Sequence, residues 1–361
     1  MSYCINPQCS QRHNPDEALY CQACDTPLLI RERYRLLYPL REPDTWNPTE
    51  VFVVADRGTH KVLKLLKNPR LQPLFQREVQ ALQSLCHAGI PKAEPDSYFT
   101  LRLKTGLPLY GLVMEKIEGE TLEQWVTRNG PIEQAQALDW LCQLMEILGV
   151  LHQKNLFHRD IKPSNIMRRP TGQLALIDFG TVRQITHTYL AKIGGQQDIT
   201  SIVSPGYTPL EQINGKAVPQ SDFYAVGRSL IFLLTGKSPL ALSENTLTGQ
   251  ILWRSQAASV TTWFADLVDQ LAAPFPGQRP LNTQIILQQI RPLTARLPTA
   301  SLPARRLERL LAIANVSLLI VQLVMGWRWW QAHHELLSSD CRPLVSGVSE
   351  DQADQAPASR L

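Results

Sequence analysis

No glycine stands between Tyr34 and Arg57. That absence excludes a glycine-rich phosphate-cradling turn from this stretch, because glycine is what lets successive backbone amides approach phosphates closely. Excess charge is scarce too: the 361 residues carry a net charge of +4, too little to argue for a polyanionic partner. Long uncharged apolar stretches are confined to Leu310–Trp327, flanked by Arg309 and Arg328. Cysteine is sparse, seven residues in all, yet four of them fall at Cys4, Cys9, Cys21 and Cys24. No charged-then-apolar leader precedes them, so a reducing compartment is expected.

What is present is led by HRDIKPSN at 158–165, followed by an apolar strand-like run, 174–177, that opens onto Asp178, Phe179 and Gly180. The combination resembles the catalytic loop and metal-binding triplet of protein kinases. The resemblance implies that Asp160 takes the proton of a substrate hydroxyl, that Asn165 holds a second Mg²⁺, and that Asp178 holds the first. Lys162 resembles the lysine that contacts the transferred phosphoryl group in the Ser/Thr class. Tyrosine specificity is not expected.

Upstream, KVLKLL at 61–66 alternates as a strand, and FQREVQALQSL at 75–85 repeats Phe75, Val79, Leu82 and Leu85 at helical spacing. A phosphate-gripping lysine on the first and a glutamate on the second give Lys64 and Glu78 as the expected ion pair, with Lys61 and Lys67 as rivals to Lys64. Downstream, SPGYTPLEQ at 204–212 resembles the end of an activation segment. By that resemblance Glu211 pairs with Arg279, and Asp222 braces the catalytic loop. Ser204 keeps a hydroxyl within reach of Asp160 and Lys162. QSDFYAVGRSLIFLLTG reads as a core helix with Ser221 as a cap and Gly236 as its stop. The strand LYGLVMEKI implies Met114 at the entrance to the adenine site, or as core filler, with the backbone of Glu115 and Ile117 facing the base. Among the activation-segment hydroxyls, which include Thr181, Thr186 and Thr188, Thr200 and Ser201 are the expected autophosphorylation sites, and Arg159 resembles the arginine of loop-phosphorylated kinases.

Together the matches run over residues 34–295, and the chain resembles the eukaryotic-like bacterial Ser/Thr protein kinases. The expected fold class is α+β: a bilobal protein-kinase-like fold with a small zinc-ribbon-like head and a C-terminal transmembrane helix. Expected ligands are ATP with Mg²⁺ or Mn²⁺, and the expected partners are protein substrates. The missing glycines keep a second reading open, a nucleotide-binding pseudokinase scaffold. A third is a zinc-headed membrane sensor whose kinase-like part only relays binding.

The head, residues 1–30, has the spacing C-x4-C, eleven residues, then C-x2-C, near that of a four-thiolate zinc site. Thirty residues bury too little core to fold alone, and a metal would supply the missing free energy. Disulfides or unrelated thiols are the alternatives, and His13 is a further candidate ligand. Through Ile30, Arg12 is opposed by Asp16, Glu17 and Asp25, so nucleic acid is not expected. A protein-contact or redox-sensing role fits better. The head also resembles the prefix of a cyanobacterial four-cysteine kinase family. Cys86 and Cys142 sit in apolar helical stretches and read as core.

After Pro292 the chain turns rich in Pro and Arg, a linker over 296–309. Residues 310–328 read as a single-pass span: eighteen uncharged residues rise about 27 Å against a hydrocarbon core of about 30 Å. Trp327, Trp329 and Trp330 cluster at one end, and Arg305, Arg306 and Arg309 at the other. The positive-inside rule places the kinase-like region in the cytoplasm and the polar tail, 329–361, opposite it. An amphipathic surface helix is the alternative, and a span could also pair two copies as a homodimer.

Overall fold

The computed structural model describes residues 1–44, 47–180, 182–184 and 203–294. Thr200, Ser201, the linker 296–309, the expected span 310–328 and the tail 329–361 lie outside the described residues. Among the described residues no helix is long and apolar enough to cross a membrane. Met1–Arg296 is one compact unit.

Short strands β1 (Ser2–Tyr3) and β2 (His13–Asn14) pair within the cysteine head. β3 (Leu29–Ile30), β4 (Tyr34–Pro39), β5 (Thr49–Asp56), β6 (Thr59–Leu66), β7 (Tyr98–Arg102) and β8 (Pro108–Glu115) form an antiparallel sheet in the order β3-β4-β5-β6-β8-β7. Side chains alternate across a strand. Leu63 and Leu65 of β6 therefore face one way, into a cluster with Phe52, Leu109 and Val113. Lys64 and Leu66 face the other way, towards helix α1 (Gln72–Ser84), which buries Phe75, Val79 and Leu82 along one side.

The head covers the first of these faces. Tyr3 and Ile5 belong to the same cluster as Leu63 and Leu65, and β3 carries the end of the head into the sheet through its pairing with β4. Its own small cluster holds Cys4, Cys21 and Leu28. A segment too short for an independent core thus shares that of the sheet.

The remaining structure is mostly helical. α2 (Leu122–Asn129) starts with a reciprocal cap: Gln124 N–H donates to Thr121 Oγ1 (3.1 Å), and Thr121 N–H donates to Gln124 Oε1 (2.9 Å). α3 (Gln134–Gln153) buries Leu141, Leu144, Leu148 and Leu151 at helical spacing. The helix Pro219–Thr235 begins two residues before Ser221, whose hydroxyl accepts from Val218 N–H (3.1 Å). Gly236, at φ +69°, ends it in the left-handed region that favours glycine. Cys86 departs from expectation: α1 stops at Ser84, leaving Cys86 exposed in the following loop. Cys142 is partly buried against the core.

Candidate active site

Four backbone features aim the polar groups. The alternation of β6 turns Lys64 inward, and the buried side of α1 carries Glu78 between Phe75 and Val79. The turn between β9 (Leu156–Phe157) and β10 (Ile166–Arg168) holds Asp160 and Asn165, and the segment after β11 (Leu174–Leu176) holds Asp178. Lys64 Nζ lies 2.8 Å from Glu78 Oε1 and 2.7 Å from Asp178 Oδ1, so one ammonium ties a carboxylate 14 positions along the chain to one 114 positions along it. Lys61 pairs instead with Asp56 (2.8 Å) and Lys67 with Glu50 (3.3 Å).

Burial alone would push the Lys64 ammonium down, but Asp178 and Glu78 outweigh it and hold it protonated. Lys64 in turn keeps Asp178 well below the usual carboxylate range, while burial pushes Glu78 up. Gly180 closes this corner. A Cβ there would come 2.9 Å from Lys64 Nζ and 3.3 Å from Glu78 Oε2. Asp178 and Arg159 sit at φ +66° and +67°, a strained conformation costing on the order of 1–3 kcal/mol each, of the kind found at functional sites.

Asp160 is held from several sides. Asn165 Nδ2 donates to its Oδ2 (2.8 Å) and its carbonyl (2.9 Å), Ser204 Oγ donates to its Oδ1 (2.6 Å), and Lys162 Nζ lies 3.1 Å from Oδ2. Lys162 also donates to Ser204 Oγ (2.9 Å). Because Asn165 commits its amide nitrogen to Asp160, the oxygen donor that it can offer a cation is Oδ1. With the carboxylate of Asp178 this makes a hard-oxygen donor set of the kind that suits Mg²⁺.

Beneath the loop, Asp222 is fully buried and accepts from the backbone N–H groups of His158 (3.0 Å) and Arg159 (2.8 Å). Arg279 Nη1 reaches Glu211 Oε1 at 2.6 Å, and Ser221 Oγ donates to the same oxygen at 2.8 Å. Met114 is partly buried against the core, opposite Val62. Glu115 donates its N–H to Lys92 O (2.8 Å) and accepts Arg169 on its carboxylate (2.7 Å), and Ile117 is buried.

Residues 51–289 match the model of the protein kinase domain. The chain belongs to the protein kinase family. This kinase domain is similar to Serine/threonine-protein kinase B of Synechocystis sp., 32% identical over 308 residues, 80% of this chain and 52% of that protein. It is also similar to Serine/threonine-protein kinase C of the same organism, 35% identical over 272 residues, 70% of this chain and 49% of that one. Serine/threonine-protein kinase PknA of Nostoc sp. is 33% identical over 276 residues, 73% and 48% of the two chains. The chain spans about half the length of these curated relatives.

Several contacts of the kinase domain had no sequence signal. His152 Nε2 lies 2.9 Å from Asp222 Oδ2, and Gln212 Nε2 donates to Arg159 O at 2.7 Å. No spacing rule ties either residue to a loop more than fifty positions away or to a buried carboxylate.

In the head, the four thiol sulfurs lie within 4.8 Å of one another, with Cys4–Cys24 and Cys9–Cys21 at 3.6 Å. A tetrahedral site with Zn–S bonds of 2.3 Å separates its sulfurs by about 3.8 Å, so the cluster fits that ion. All four are free thiols. His13 is outside the cluster and packs edge-on against Tyr3.

Proposed function

We propose that the chain is a Ser/Thr protein kinase that transfers the γ-phosphate of ATP to protein hydroxyls. The observation that carries this reading is the Lys64 bridge to Glu78 and Asp178, set in one site with the restrained Asp160. Lys64 would bind the α and β phosphates, with Glu78 fixing its position. Asp178 and Asn165 would hold Mg²⁺ or Mn²⁺, which neutralises phosphate charge when bound. Asp160 would accept the proton of the attacking hydroxyl, and Lys162 would steady the transferred group. Met114 and the backbone of Glu115 and Ile117 would border adenine. Catalysis of this kind rests on positioning and charge stabilisation.

Transfer from ATP to a generic basic protein and to the chain itself, with Mg²⁺ or Mn²⁺, tests the reading. Activity that disappears in both Asp160→Ala and Asp178→Ala supports it. ATP binding without transfer under any condition supports the pseudokinase scaffold, which the glycine-free turn keeps in view. Phosphate on Thr200 and Ser201 is the expected product of self-modification.

Cys4, Cys9, Cys21 and Cys24 would bind one zinc ion, and residues 310–328 would anchor the kinase domain to a membrane from the cytoplasmic side. The zinc reading is supported by the sulfur geometry, and the anchor by the uncharged run between arginine and tryptophan clusters.

A further inference from the structure

The short helix Leu210–Ile213 turns its apolar residues Leu210 and Ile213 to solvent and buries the polar Gln212. That inverts the usual sorting of side chains, and a buried amide is costly unless it is hydrogen-bonded. The partner is a backbone group of the catalytic loop: Gln212 Nε2 donates to Arg159 O at 2.7 Å.

That carbonyl belongs to the peptide bond joining Arg159 to Asp160. Arg159 has φ +67°, a conformation that a residue with a long side chain keeps only where its surroundings over-determine it. A buried side chain holds each of its two backbone polar groups. Its N–H donates to Asp222 Oδ1 (2.8 Å), and its carbonyl accepts from Gln212. The orientation of this second peptide sets the direction in which Asp160 leaves the loop.

The segment that supplies Gln212 also supplies Ser204, whose hydroxyl donates to Asp160 Oδ1 (2.6 Å). Internal bonds make that segment one folded unit. Ser204 N–H donates to Thr208 Oγ1 (2.8 Å), Thr208 N–H returns to Ser204 O (3.1 Å), and the N–H groups of Gln212 and Ile213 both donate to Pro209 O (3.0 and 3.2 Å). Asp160 is therefore gripped twice from one segment, at its carboxylate and at the peptide that precedes it.

We propose that Gln212 is a positioning residue for phosphoryl transfer. Its amide fixes the Arg159–Asp160 peptide and so the aim of the Asp160 carboxylate, working against Asp222 from the opposite side of Arg159. Turnover then depends on a side chain that lies outside the Lys64, Glu78 and Asp178 cluster. This inference rests on the kinase reading above.

Steady-state transfer from MgATP to a generic basic protein, with calorimetric binding of MgATP and the thermal midpoint, tests it on the full chain. Gln212→Met keeps the approximate shape and removes the donor, Gln212→Glu keeps the shape with an acceptor in its place, and Gln212→Asn keeps an amide. A small misplacement of a reacting group is expected to lower kcat roughly 10- to 100-fold in the first two. Affinity and KM for MgATP should stay unchanged, and Gln212→Asn should recover part of kcat. Because Gln212 and Ser204 aim the same carboxylate, their effects should not multiply: Ser204→Ala/Gln212→Met should lose little more than the worse single variant. An undiminished kcat in either Gln212→Met or Gln212→Glu overturns this inference alone. So does a loss shared equally by kcat and MgATP affinity, or effects that multiply in the double variant. If one variant fails to fold, the other decides by the same criteria. A wild type that transfers no phosphate overturns the kinase reading and this inference with it.

Discussion

Arg12 Nη2 lies 2.9 Å from Glu50 Oε2, with both side chains almost wholly buried, and this ion pair fastens the cysteine head to β5. The Arg12 guanidinium also sits over the rings of Tyr3 (4.7 Å) and Phe52 (5.4 Å), and its Nε donates to Cys4 O (2.9 Å). Arg12→Met would leave Glu50 with Lys67 as its remaining cation. A loss of about 3 kcal/mol in unfolding free energy is expected, read by urea denaturation. In Arg12→Met/Glu50→Leu the stranded carboxylate is gone and Lys67 keeps its bond to the carbonyl of Asp44, so a good part of it should return. A double variant as unstable as the single one would contradict this.

In the pair Glu211–Arg279, Arg279 also donates to the carbonyls of Ala273, Gln220 and Pro274. Arg279→Ala strands a carboxylate and three carbonyls. It should cost about 3–5 kcal/mol and lower the thermal midpoint, while leaving zinc content unaffected.

Ser204 links Asp160 to Lys162 through one hydroxyl. If Asp160 acts as the base, Ser204→Ala should reduce kcat by roughly 10- to 100-fold through misplacement of that carboxylate. The thermal midpoint should barely move, and Ser204→Thr should restore turnover. An unchanged kcat in Ser204→Ala would remove Ser204 from the positioning role.

His158 is wholly buried, and burial holds its pKa below the ordinary 6.5 against the opposing pull of Asp222. The unfolded chain therefore takes up a proton that the folded one resists. The contribution of neutral His158 to stability is complete above about pH 6.5 and falls away below it, on the order of 1 kcal/mol per pH unit. Urea midpoints at pH 7.5, 6.5 and 5.5 should fall across the lower interval, and His158→Phe should flatten that slope.

Zinc analysis of the purified full chain should find one ion per molecule. Since Cys4 and Cys21 lie in the buried cluster of a head that shares the core of the sheet, removal by a chelator should lower the thermal midpoint of the whole unit. A separate early transition confined to the head would contradict the shared core.

How far these features could be read beforehand depended on whether their signals were local. Lys64 was legible because β6 alternates, Glu78 because α1 repeats its apolar residues at helical spacing, and Asp160, Asn165 and Asp178 because their order in the chain is itself diagnostic. The docking of the head was not legible. Strands as short as Ser2–Tyr3 are too brief to show a period, and nothing near Tyr3 or Ile5 points to Leu63 and Leu65. Arg12 read as the head's cation, and its true setting, Glu50, lies 38 residues away. Cys86 misled because its apolar neighbours continue past the point at which α1 stops.

The way in which Tyr3 and Ile5 seal the sheet bears on how such a chain can evolve. Once an added segment has become one wall of a lobe, point changes on both sides of the seam adjust to each other, and the underlying apolar surface is no longer kept fit for water. Deleting the segment would then uncover Phe52, Leu63 and Leu65 at once and leave a sticky face prone to self-association. A segment docked in this way becomes obligatory, and its loss is closed off as a single genetic step.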